Sequence, residues 1–85
     1  MWIIPNYIKI ENDCLRGSTT ILIKDIEMVA VRKIRYENTG WYEVRAIRKD
    51  FKEFLLITSN FLDWAKDIAK DVRKALIKEG WSNNE

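Results

Sequence analysis

The residues of this chain best suited to chemistry are basic and aromatic: Lys33-Ile34-Arg35 is followed by Trp41-Tyr42, Arg45 and Arg48. Ammonium and guanidinium groups neutralise phosphate and aromatic rings stack on bases. The set therefore suits sheet-based binding of nucleic acid or of an anionic head group. Trp and Arg are also enriched at protein-interface hot spots, so the same residues suit a protein partner. From Arg32 to Lys52 the bases Arg32, Lys33, Arg35, Arg45, Arg48, Lys49 and Lys52 face only Glu37, Glu43 and Asp50, although the whole chain carries just +2. So small a total supplies little of the field expected of a dedicated nucleic-acid binder, but its concentration in this stretch matters more than the sum.

Other chemistries find little to work with. There is no His, which removes the commonest general base and metal ligand. A single Cys cannot build a thiolate zinc site, and Cys14 has only Arg16 nearby to lower its pKa. Gly17, Gly40 and Gly80 are too scattered for a phosphate-cradling loop, and Ser18, Ser59 and Ser82 lack a nucleophile elbow. Asp63, Asp67 and Asp71 share a helical face but alternate with lysines, the pattern of a solvated surface. The expectation is a non-catalytic module without cofactor or metal.

The chain has 85 residues, 47% of them hydrophobic and 33% charged, a composition that folds but has room for only one core. We expect a single domain over residues 1–81 and a frayed tail over 82–85. The lone Cys favours a cytoplasmic home, since small secreted domains usually carry disulfide staples. The run Met1-Trp2-Ile3-Ile4 lacks a basic leader and is cut by Pro5, and no apolar stretch reaches the roughly 18 residues needed to span a bilayer. Neither signal peptide nor integral membrane association is expected.

These residues must be positioned by elements that the periodicity predicts. Phe61, Trp64, Ala65, Ile68, Val72, Ala75 and Leu76 recur at helical spacing, which predicts an amphipathic helix from Phe61 to Glu79 with Trp64 in the core. Asn60 is its expected N-cap. Gly80 and Trp81 form a Schellman ending in which Trp81 packs back on Leu76. Upstream the period is two, predicting strands near Tyr7–Ile10, Thr20–Ile23, Ile26–Tyr36, Trp41–Lys49 and Glu53–Thr58. The fold class is therefore α+β: an antiparallel meander or rolled sheet of about five strands packed on one C-terminal helix.

A three-residue loop, Asn38-Thr39-Gly40, sets Tyr36 against Tyr42, Arg35 against Glu43 and Ile34 against Val44. Ala46 then meets Leu56, and Lys49 meets Glu53. Ile26, Met28, Ala30, Ile34, Tyr36, Tyr42, Val44, Ala46, Phe54 and Leu56 fall on the expected helix-facing side. The other side carries Val29, Val31, Ile47, Leu55 and Ile57, with Lys33 and Arg45 opposite each other. It must be covered by the N-terminal strands, with Trp2, Ile3, Ile4 and Tyr7, or by another chain. Trp41 has two readings, as cover for that apolar side or as a contact anchor.

Several strands closed by a helix bearing Trp64-Ala65-Lys66-Asp67-Ile68 resemble, from about Ile21 to Glu79, the end of a pleckstrin-homology-like domain. That resemblance implies a bent half-barrel plugged by the helix through an inward Trp. It also implies a binding fold, and many members of that family bind peptides or proteins. The family's lipid-binding Lys-x-Arg has its letters in Lys33-Ile34-Arg35, but on the third strand rather than an early one, so the lipid role is not carried over.

The expected function is binding of another protein, as adaptor or small inhibitor, or self-association, through the sheet face bearing Trp41 and Arg45. The alternative is binding of nucleic acid or an anionic head group by the basic strands. Lys33, Arg35, Trp41, Arg45 and Arg48 are the candidate binding residues.

Overall fold

A computed structural model describes residues 2–3 and 8–82, the first two by backbone alone. Four short antiparallel strands, β1 (Trp2–Ile3), β2 (Lys9–Glu11), β3 (Cys14–Arg16) and β4 (Thr20–Leu22), form one sheet in that order. A 3₁₀ turn (Ile23–Asp25) leads into a second sheet of β5 (Ile26–Tyr36), β6 (Thr39–Arg48) and β7 (Glu53–Ser59). The helix α1 (Leu62–Lys78) follows. The chain is thus α+β, but with two sheets rather than one meander of about five strands, and they do not close into a barrel. Among the described residues no helix is long and apolar enough to cross a membrane.

The first sheet exists because of one turn. Asn12 and Asp13 have φ of 52° and 62°, the left-handed values that a two-residue hairpin loop demands and that Asn and Asp tolerate best. The turn pairs Ile10 with Leu15, both buried, and Lys9 with Arg16, both exposed. Periodicity missed β3 because Cys14-Leu15-Arg16 is too short to show it.

Ile8, Ile10, Leu15, Ile21 and Ile23 join one core with Val29, Val44, Ala46 and Leu56 from the second sheet and with α1. Through these described residues the first sheet helps to enclose the helix-facing core. The side chains of Trp2, Ile3, Ile4 and Tyr7, assigned from sequence to cover the opposite face, lie outside the described residues. The β3–β4 loop locks onto β7: the Ser18 and Thr19 amides donate to Leu56 O (3.0 Å) and Leu55 O (3.1 Å).

Two features overturn the expected register of β5. The hairpin closes through two residues, Glu37-Asn38, with Tyr36 opposite Thr39 and Glu37 at φ 54°. Thr39 Oγ1 donates to Tyr36 O at 2.9 Å, and Gly40 lies in the ladder opposite Arg35 rather than in the turn. Ile34 consequently meets Trp41, Lys33 meets Tyr42, Arg32 meets Glu43 and Val31 meets Val44. The pairing has moved by three residues, an odd number, so every side chain of this stretch changes face relative to β6. A bulge at Glu27, between the Ile26 and Met28 pairings, restores the parity, so that Ile26 and Val29 are both buried.

Expected as core, Ile34 and Tyr36 instead share the side of Trp41, and Tyr36 is 65% exposed. Lys33 and Arg45 lie on opposite faces. On β7, Phe54 meets Ala46 and Ile57 meets Val44, with the register shifting between them, so Leu56 stays buried while Ile57 turns inward. Lys49 falls outside the ladder, and Glu53 pairs with Ile47 instead.

Helix α1 buries Ala65, Ile68, Ala69, Val72, Ala75 and Leu76 on the sheet. Its first turn departs from expectation. The N-cap is Phe61, without a side-chain cap, and Asn60 is exposed. The Phe61 amide donates instead to Ser59 Oγ at 3.0 Å. Trp64 is 41% exposed and is not a core residue: the buried stripe starts at Ala65 and continues through Ile68, Ala69 and Val72. The other end is the predicted Schellman motif: Gly80 (φ 94°) donates to Ile77 O and Trp81 to Leu76 O, each at 3.0 Å.

Candidate protein-binding face

With α1 on one side of the β5-β6-β7 sheet, the alternate residues of β5 and β6 form an opposite face, open among the described residues. Ile34 and Trp41 make its first cross-strand row, followed by Arg32–Glu43–Thr58, Ala30–Arg45–Leu55 and Met28–Ile47–Glu53. Tyr36 extends it towards the hairpin tip. Because β7 ends with Ser59 opposite Tyr42, the rows from Ile34–Trp41 outward belong to a two-stranded arm projecting past the third strand.

A connected polar network organises the middle of this face. Trp41, Glu43 and Arg45 stand at alternate positions of β6 and so share a side. The Trp41 indole N–H donates to Glu43 Oε2 at 2.9 Å, while Arg45 Nε and Nη2 both donate to Oε1, the former at 2.8 Å. Arg45 also reaches Glu53 at 3.8 Å, and Glu53 takes two bonds from Arg32, at 3.1 and 3.4 Å. Glu43 is only 7% exposed although no helix covers it, because its own neighbours shield it. The Trp41 hydrogen bond lowers its carboxyl pKa below the usual Glu value; burial opposes this, and the hydrogen bond and charge of Arg45 add to it.

The five candidate residues therefore do not form one patch. Trp41 and Arg45 share the open face, joined through Glu43. Lys33 and Arg35 fall on the other parity of β5, both exposed and without an ion pair among the described residues. Arg48 lies at the far end of β6, its guanidinium carbon 5.3 Å from the centre of the Phe54 ring and its donors on Asp50, one of them at 2.9 Å. The expected Arg35–Glu43 pair is replaced by Arg45–Glu43, since the register shift sets Arg35 opposite Gly40 and Arg45 shares the side of Glu43 on β6.

The Arg48 hydrogen bond holds the Asp50 carboxyl at about 2, against an ordinary 3.8. Its stabilising effect is present above the unfolded value and is lost as the pH falls from near 3.8 through about 2. NMR titration of Asp50 is expected to show that depressed midpoint and to return towards 3.8 in Arg48→Ala. A midpoint that ignored the substitution would refute the pairing.

Trp41 was selected from sequence as a candidate; several exposed apolar residues were not. Phe61 (72% exposed) and Trp64, both assigned to the core stripe by periodicity, flank a groove with Thr58, Asp63 and Asp67. Phe51 is 81% exposed at φ 71°, the left-handed position of a β6–β7 loop closed by Phe51 N–H on Arg48 O at 2.8 Å. Such a position favours Gly, so only backbone geometry reveals the oddity. Among the described residues no group of three or more His, Cys, Asp or Glu is placed to hold a metal ion. No protein-family model, curated protein or solved structure matches the chain.

Proposed function

We propose that this chain is a non-catalytic binding module that engages another protein through the open face of the β5-β6-β7 sheet, with Trp41 and Arg45 at its centre. The observation that carries this reading is the position of Trp41. It belongs neither to the buried core nor to the side chains packed against it, yet its ring is fixed by the bond to Glu43. A Trp that fills no core and is already ordered loses little entropy on binding, which is how an interface anchor gains affinity. Ile34 and Tyr36 widen the apolar area around it.

The alternative, binding of nucleic acid or an anionic head group, is favoured only by Lys33 and Arg35. Arg32, Arg45 and Arg48 each already hold a carboxylate, which a phosphate would have to displace. Capture from lysate of the native host, comparing the chain with Trp41→Ala and Arg45→Ala, separates the readings. A hot-spot loss of about 2 kcal/mol, or roughly 30-fold, is expected for Trp41→Ala, with little change between about 50 and 200 mM salt. Captured nucleic acid with a steep salt dependence would transfer the site to the alternative. Partners indifferent to Trp41 would remove it from the site altogether.

A further inference from the structure

The two edges of the β5-β6-β7 sheet are treated differently. At β7 the edge is closed, because Ser18 and Thr19 pair with Leu56 and Leu55. At β5 the two-residue turn sets the hydrogen-bonding phase. Tyr36, Ile34, Arg32 and Ala30 exchange bonds with β6, so the N–H and C=O groups of Val29, Val31, Lys33 and Arg35 point outward. Consistent with that phase, Val29 O accepts Arg73 Nη2 at 2.7 Å. Nearer the start of β5, Ile26 O accepts the Trp81 indole at 2.8 Å. From Val31 to Arg35 no hydrogen bond among the described residues reaches the outward backbone groups.

We propose that the Val31–Arg35 edge of β5 is a strand-addition site for an extended segment of another protein with acidic and apolar residues in alternation. Main-chain bonds would supply affinity and alternate side chains specificity. The charges choose the occupant. Lys33 and Arg35 have no carboxylate partner among the described residues, so acidic groups in the incoming strand complete them, while an apolar residue between meets Ile34. A second copy is the poorer fit: antiparallel pairing centred on Lys33 sets Lys33 against its own equivalent, and like charges directly opposite destabilise a sheet. The proposal concerns the edge, not the open face, and stands independently of the reading given for Trp41.

The probe is the synthetic peptide Ac-Thr-Glu-Val-Glu-Thr-Val-Thr-NH2, titrated into the labelled full chain and followed by amide shifts and hydrogen exchange. Saturable shifts centred on Val31–Arg35 are expected, with slowed exchange at the Val31, Lys33 and Arg35 amides. N-methylating alternate peptide residues is expected to weaken binding at least tenfold, and so is Lys33→Glu with Arg35→Glu, two exposed positions where folding is not at risk. Lys33→Pro, which removes an outward N–H together with the ammonium, is expected to weaken binding further than Lys33→Ala, which removes the ammonium alone. The proposal is overturned if the N-methylated peptide binds equally well, or if the shifts map to Trp41–Arg45. It also fails if the edge amides are protected by concentration-dependent self-association without peptide, or if no binding is seen.

Discussion

Trp81→Ala is expected to cost about 3–5 kcal/mol, the range for emptying a buried aromatic site. Trp81 is 7% exposed and performs three tasks at once. Its backbone N–H closes the Schellman motif on Leu76 O, its ring joins the core, and its indole N–H satisfies Ile26 O at 2.8 Å. It thus ties the end of α1 to the start of β5, beside the Glu27 bulge that gives β5 its working register. A domain of this size has a total stability on the order of 5–15 kcal/mol, so the variant is close to unfolding at the low end of that range and still folded at the high end. Urea denaturation measures the loss. Trp81→Phe separates the contributions, keeping most of the apolar ring but leaving Ile26 O without its donor, for about 1–3 kcal/mol. An Ala variant as stable as the parent would show that the helix end is held by something else.

Gly17→Ala is expected to cost about 2–3 kcal/mol, as overpacking against an immovable neighbour does. The added Cβ would lie 2.6 Å from Leu56 O and 2.8 Å from Leu56 Cα, both backbone atoms that no rotamer change can remove. Relief requires the β3–β4 loop to lift off β7, breaking the Ser18 and Thr19 bonds that seal that edge. A melting point lower by about 4–8 °C per kcal/mol is the direct readout, with faster exchange of the Ser18 and Thr19 amides. Ser18→Ala removes only a 3.3 Å side-chain bond from the same loop and should change stability by less than about 0.5 kcal/mol. Equal effects for the two substitutions would mean that loop polarity, not backbone approach, governs the contact.

Both predictions bear on binding, because they concern what leaves one edge and one face of the sheet free. The β3–β4 loop spends its backbone on β7, and α1 spends its apolar stripe on the inner face. The open face and the distal half of the β5 edge are what remain. The polar network on the open face also explains why a cluster of bases need not be a phosphate site: Arg32 and Arg45 converge on Glu53 and Glu43, and Arg48 on Asp50.

Much of the scaffold was legible from the chain. The helix announced itself through Ala65, Ile68, Val72, Ala75 and Leu76, and its ending through Gly80-Trp81, because spacing of apolar groups and a left-handed C′ position are local properties. The limits of β5 were local in the same sense. Trp41 and Arg45 could be selected by residue type, but their union through Glu43 depended on knowing that all three share one side of β6.

Sequence alone determined that alternating residues of β5, β6 and β7 have two faces, that α1 has one, and that no histidine or thiol pair exists to do catalysis. Tertiary structure decided which face of β5 looks inward. A period of two is symmetric under a one-residue step, and both a two-residue turn at Glu37-Asn38 and a bulge at Glu27 invert it. The choice went to the arrangement in which Ile26, Val29, Val44, Ala46 and Leu56 meet the helix and the first sheet together, since burial summed over the whole core outweighs the propensity of any single turn.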